Sequence, residues 1–272
     1  MSKTHRKKAP LARRADKYDL YQRSVQDPDA DVHFIQRVYR QRFGRPARSL
    51  REDFCGTAAI ACRWVKSRAE SHALGVDLDP EPLAWGKKHN VARLTRAQAA
   101  RLKLLRGNVL NTRSVSCDVV IAFNFSYFLF TERSTLLRYF KAARRHLRRE
   151  GLFFLDAYGG ADAQREQQET RRCKGFLYVW DQHRFDPINH ITTCHIHFEF
   201  RDGSRLQRAF SYTWRLWTLP EVRELLFEAG FRRADVYWEG TDRESNDPNG
   251  VFSLRKRAPA DPAWVAYLVA ER

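Results

Sequence analysis

Residues 49–64 read SLREDFCGTAAIACRW and residues 73–80 read ALGVDLDP. The first stretch predicts a strand ending at the acid pair Glu52 and Asp53, a sharp turn at Gly56, and a helix from Thr57 to Trp64. The second predicts a strand that closes on Asp77. Strand, turn, helix, strand and acid in that order form half of a doubly wound unit. The rest of the middle of the chain continues the alternation, with strands expected near 48–53, 72–77, 102–107, 117–123 and 151–157. Helices are expected near 57–68, 80–90, 95–101 and 132–148. VVIAF and LFFLD are nearly continuous apolar runs, as strands covered on both faces should be.

Beyond Gly159-Gly160 the pattern changes to longer segments rich in aromatics, FLYVWDQHRF, HITTCHIHFEF and SRLQRAFSYTWRLW. The turn chemistry of Asp186-Pro187-Ile188-Asn189 and Asp202-Gly203-Ser204 between them predicts a three-stranded antiparallel meander. A helix from Leu219 to Ala229 and strands near 231–239 and 263–270 complete the reading. The expected fold is α/β, a doubly wound Rossmann-like seven-stranded, mostly parallel sheet with an inserted antiparallel β lid. Its parts are a disordered basic arm (1–16), an N-terminal helical cover (17–47), a core (48–160 and 218–272) and the lid (174–217).

Ligands of such sheets bind beyond the carboxyl ends of the strands. Glu52, Asp77, Asn108, Asn124 and Asp156 all fall at or just past those ends. The turn lacks the G-x-G-x-x-G pattern that lets backbone approach a pyrophosphate, which argues against a dinucleotide. A nucleoside cofactor without phosphate needs only the tight turn, an acid for an ammonium group and an acid for a ribose diol, and S-adenosylmethionine fits.

These segments resemble the class I S-adenosylmethionine-dependent methyltransferases over roughly residues 17–270, within a subgroup marked by LREDFCGTA. The resemblance implies cofactor contacts from Glu52, Asp53, Cys55, Gly56 and Thr57, from Asp77 and Leu78 at the ribose, from Asn108 and Val109 at the adenine, and from Asn124 and Phe125 after the fourth strand. Ala58 stands where a glycine is common, and Asn108 where an acid is common. An asparagine oxygen still accepts a hydrogen bond, without the charge. Tyr18 and Tyr21 on the helical cover are further cofactor candidates, with core packing the alternative use of both.

Methyl transfer asks mainly that a nucleophile be held against the methyl carbon and water kept out, with a general base needed only where a proton must leave. Candidates for that role are Tyr127, Asp156 and Tyr158, each of which also has a purely structural use. His195, His197 and Glu199 share one strand face, but the outer pair is about 13 Å apart, too far for one tetrahedral ion, so no metal is expected.

The composition sets outer limits. At 272 residues the chain buries one substantial core, and no apolar run spans a bilayer. No membrane partner is expected on that ground, and five cysteines without a C-x-x-C spacing point to a reducing, cytoplasmic setting. A net charge of +17 raises a polyanionic partner, although arginines scattered over solvated helix faces account for it equally. The leading expectation is a methyltransferase with a small-molecule acceptor. The alternatives are an RNA or protein methyltransferase using the basic surface, and a non-catalytic S-adenosylmethionine-binding regulatory protein.

Overall fold

The computed structural model describes residues 9–112, 115–242, 244 and 247–272. Helices α1 (Leu11–Arg14), α2 (Lys17–Val25) and α3 (Pro28–Phe43) come first. Strand and helix then alternate through β1 (Ser49–Asp53), α4 (Ala59–Ser67), β2 (His72–Asp77), α5 (Pro80–His89), α6 (Arg96–Ala99), β3 (Leu102–Arg106), β4 (Cys117–Ala122), α7 (Arg133–Arg145) and β5 (Leu147–Gly159). Strands β6 (Gln167–Cys173), β7 (Phe176–Asp186), β8 (Ile191–Glu199) and β9 (Arg205–Arg215) follow. Helix α8 (Leu219–Glu228) and strands β10 (Arg233–Thr241), β11 (Pro248–Arg255) and β12 (Trp264–Glu271) end the described order.

The chain forms two compact units, Asp27–Ala163 with Arg215–Arg272, and the residues up to Gln26 with Gln164–Trp214. The boundary at Gln26 falls inside the segment expected to act as one helical cover. The local chemistry explains the break: the Asp27 side chain caps α3 by accepting from the Ala30 amide, and Pro28 occupies its first turn.

The larger unit holds an eight-stranded sheet in the order β11-β10-β12-β5-β4-β1-β2-β3. Strands β1 to β5 run parallel, while β12 is antiparallel to both β5 and β10. All six residues of β4 are buried, which explains its unbroken apolar run. Its one acid, Asp118, is fully buried and accepts from the Arg48 and Ser49 amides, fastening the starts of β4 and β1 together. Phe34, Ile35 and Val38 of α3 join Trp64 of α4, Phe154 of β5 and Val269 of β12 in one core. The sheet has one strand more than the seven expected. The extra one, β11, reads PNGVFSLR, whose proline, asparagine and glycine mask a strand that an edge position tolerates.

The smaller unit is a sheet ordered β6-β7-β8-β9, in which β6, β7 and β8 pair antiparallel. It too gains an edge strand over the three expected, because QQETRRC in β6 is polar and exposed. Leu20 of α2 is buried with Phe176, Ile196 and Phe198 of the sheet. Of the arm expected to be disordered over 1–16, residues 1–8 lie outside the described residues. Residues 11–14 form α1, whose Leu11 and Ala12 amides donate to Asp202 and Ser204 in the turn before β9.

Candidate functional site

The order of the parallel strands reverses between β1 and β4, so the loops after them diverge and leave a crevice at their carboxyl ends. The loop after β1 is held on two sides. The Cys55 amide donates to Val76 O at 3.0 Å and the Gly56 amide to Asp77 Oδ2 at 2.6 Å, while Thr57 O accepts from Asn90 Nδ2 at 2.9 Å. Gly56 is left-handed (φ 51°), and nothing lies within 4 Å of the place a Cβ would take, so the backbone is open to an incoming group. Gly86 of α5 sits so close below that a Cβ there would meet Thr57 O at 2.3 Å.

Four residues other than glycine adopt left-handed backbone in the loops after β1 and β4: Phe54, Ala58, Asn124 and Phe125, each with φ 57°. Such conformations cost roughly 1–2 kcal/mol each and persist where surrounding bonds enforce them. Asp156 on β5 does so for the β4 loop, its two oxygens accepting the Asn124 amide at 2.7 Å and the Phe125 amide at 2.8 Å. This buried carboxyl is pushed up to about 7 by burial, against the pull of those two amides and with the Asp31 charge adding to the rise.

Glu52 and Asp53, successive on β1, point to opposite faces. Glu52 is buried and accepts from the Ala61 amide at 2.8 Å. Burial drives it up to about 8, and the charges of Asp31, Asp77 and Asp53 reinforce the rise against the Ala61 bond. Asp53 is tied to Arg51 Nε at 2.7 Å and to the Tyr139 hydroxyl at 3.1 Å, both buried. Asp77 is held by Gly56 and by the Asp79 amide at 2.9 Å, and burial raises its carboxyl as well. Leu78 beside it is exposed.

The remaining expected residues fall as follows. Cys55 and Thr57 are buried within the turn. Asn108 is exposed; its side-chain oxygen accepts from the Leu110 amide at 2.9 Å and keeps a second lone pair, and Val109 is buried beside it. Tyr158 packs against Phe125 and Phe128. Tyr127 is fully buried against Phe128 and Phe140, and its hydroxyl has no hydrogen-bond partner among the described residues. Tyr18 and Tyr21 belong to the smaller unit, where both rings meet Phe210. In the same unit His195 bonds Ser211 Oγ at 2.8 Å and His197 bonds Asp181 at 3.1 Å.

Sequence reasoning missed Asp31 and Tyr267. Asp31, in the first turn of α3, accepts from the Tyr267 hydroxyl at 3.0 Å, and Tyr267 lies directly across from Asp156 in the β12–β5 ladder. Burial pushes Asp31 up to about 7, the Tyr267 bond opposes that rise, and the Asp27 charge adds to it. An unpaired acid among the polar residues that open α3 is the one sequence signal, and it reads equally as a helix-dipole partner. Among the described residues none of Asp31, Glu52, Asp77 and Asp156 has an ion-pair partner.

Residues 53–155 match the family model described as "Methyltransferase domain". No curated protein matches. Among solved structures, an S-adenosylmethionine-dependent methyltransferase from Clostridium acetobutylicum is similar with a TM-score of 0.67 and 16% identity, over 93% of this chain and 96% of that one. DesVI from Streptomyces venezuelae gives a TM-score of 0.66 and 19% identity, over 94% and 97%. The sugar N-methyltransferase KedS8 from Streptoalloteichus sp. gives a TM-score of 0.62 and 20% identity, over 94% and 92%. Among the described residues no helix is long and apolar enough to cross a membrane, and no group of three or more His, Cys, Asp or Glu could hold a metal ion.

Proposed function

We propose that this chain, an S-adenosylmethionine-dependent methyltransferase by domain and by fold, methylates an amine of a small, sugar-like acceptor. The observation that carries the reading is one of charge. In a protein of net charge +17, four acids without ion-pair partners gather in the larger unit around the carboxyl ends of β1, β2 and β5. Burial and mutual repulsion hold these carboxyls back from ionising, and an arriving cation releases that restraint, so the crevice selects cations; a sulfonium, an α-ammonium group and a protonated amine are all cations.

The residues present suit the cofactor. The open backbone at Gly56 takes its amino-acid part, Asp77 the ribose diol, and Asn108 with Val109 the adenine edge. When bound, S-adenosylmethionine supplies an electrophilic methyl carbon. The chain's own work is then to orient and exclude water: Asp156 fixes the Asn124-Phe125 loop, and Phe125, Phe128 and Tyr158 wall it with aromatic surface. The sugar and amino pentose methyltransferases among the similar structures support the acceptor class.

Calorimetric titration of S-adenosylmethionine and its demethylated product into wild type and Asp77→Ala tests the cofactor site. Loss of a charge-assisted bond to the ribose predicts weakening by roughly 1.5–3 kcal/mol. Absence of binding to the wild type refutes the reading.

A further inference from the structure

The mechanism above leaves two buried features unused, the Asp31–Tyr267 pair and the Tyr127 hydroxyl. Tyr267 reaches Asp31 from β12, and its ladder position opposite Asp156 sets Asp31, Tyr267 and Asp156 around one point at the carboxyl edge of β5. Phe34 stacks on Tyr267 at 4.5 Å and Phe123 tilts against it at 5.1 Å, so the ring has little freedom. Tyr127 is a second, independent pointer to a ligand. Its hydroxyl is fully buried and unpartnered among the described residues, and the charge acting on it is that of Asp156. A buried hydroxyl left unmatched within the field of a carboxyl that has no ion-pair partner is met by a donor-rich cation.

We infer that Asp31, positioned by Tyr267, receives the protonated amine of the acceptor in the space it shares with Asp156 and takes its proton. The step is a proton transfer alone: the ammonium N–H bond breaks, its electron pair stays on nitrogen as the nucleophilic lone pair, and the proton ends on a carboxylate oxygen of Asp31. The inference rests on the amine-acceptor reading above. Groups facing Asp31 support it, since Asp27 at the cap of α3, Glu52 on β1 and Asp156 on β5 are all acids and Tyr267 on β12 is neutral. Mutual repulsion and burial keep the Asp31 carboxyl basic enough to accept a proton near neutral pH.

The test uses the full chain saturated with S-adenosylhomocysteine, titrated with a panel of primary amines, glucosamine among them, each paired with its hydroxyl analogue such as glucose. At least one amine should bind ten-fold or more tighter than its hydroxyl analogue in the wild type, and Asp31→Asn should erase that preference while still being saturable with S-adenosylhomocysteine. Amine binding to the wild type should also strengthen as pH rises through about 7, a limb weakened in Asp31→Asn, where only Asp156 is left to titrate. Tyr267→Phe, which removes the hydroxyl but keeps the ring, should move that limb upward and keep the preference. An unchanged preference in a folded Asp31→Asn, or no amine preference in the wild type, overturns the inference while leaving the cofactor site standing. Failure of the wild type to bind S-adenosylhomocysteine instead removes the reading beneath it.

Discussion

Replacing Glu52 with glutamine should stabilise the protein in alkaline solution and do almost nothing in acid. In the folded chain this carboxyl keeps its proton up to about pH 8, whereas its ordinary value is 4.5. Folding therefore takes up a proton between those limits, so stability is highest below the lower one and is lost as pH rises through the upper. The gap of about 3.5 units sets a ceiling of about 5 kcal/mol at 1.36 kcal/mol per unit. Because Asp31, Asp77 and Asp53 contribute to the rise, removing one charge relieves part of their burden too, and about 2–5 kcal/mol is the expected range. Glutamine keeps an oxygen for the Ala61 amide, so the bond at the start of α4 survives. Urea unfolding of both proteins at about pH 5 and about pH 8.5 measures the effect, and subtracting wild type from variant cancels the pH-dependent repulsion of a +17 chain. A difference that is the same at both pH values refutes the reasoning.

Gly86→Ala should be costly, because the new methyl meets backbone at Thr57 O rather than a side chain that can turn away. A loss of at least 1–3 kcal/mol in thermal or urea unfolding is expected, with weaker S-adenosylmethionine binding because the turn must move; an unchanged affinity would separate α5 from the turn. The polyanion alternative makes its own demand on the exposed stripe Arg138, Lys141 and Arg145, spaced at helical intervals on α7. If turnover depends on that stripe, Arg138→Gln/Lys141→Gln/Arg145→Gln and raised salt should both suppress it; the small-acceptor reading expects neither to matter.

The parallel half of the sheet was legible because β4 and β5 are dense apolar runs, β1 and β2 end on acids next to turns, and β3 follows them in the alternation. Strands β6 and β11 were not, since both are edge strands whose polar residues face water and leave no alternation to read. The individual groups at the crevice were legible by position, as Asp77 closes β2 and Asp156 lies near the end of β5. Their tasks were not. That Asp53 is consumed by Arg51 and Tyr139, and that Asp156 spends both oxygens on backbone amides, are facts of three dimensions. Tyr267 was read only as part of an apolar strand because its partner lies 236 residues away.

The reversed strand β12 has a consequence for how the molecule is made. It is inserted between β5 and β10, which precede it in the chain, so during synthesis those two strands emerge with facing edges that lack their proper neighbour. Open edges of apolar strands invite wrong pairing, either with each other or with a second nascent chain. The Asp31 side of the crevice is therefore complete only once β12 has entered the gap and brought Tyr267 to Asp31. Yield is therefore expected to depend on chaperone supply more steeply than the stability of the finished fold suggests.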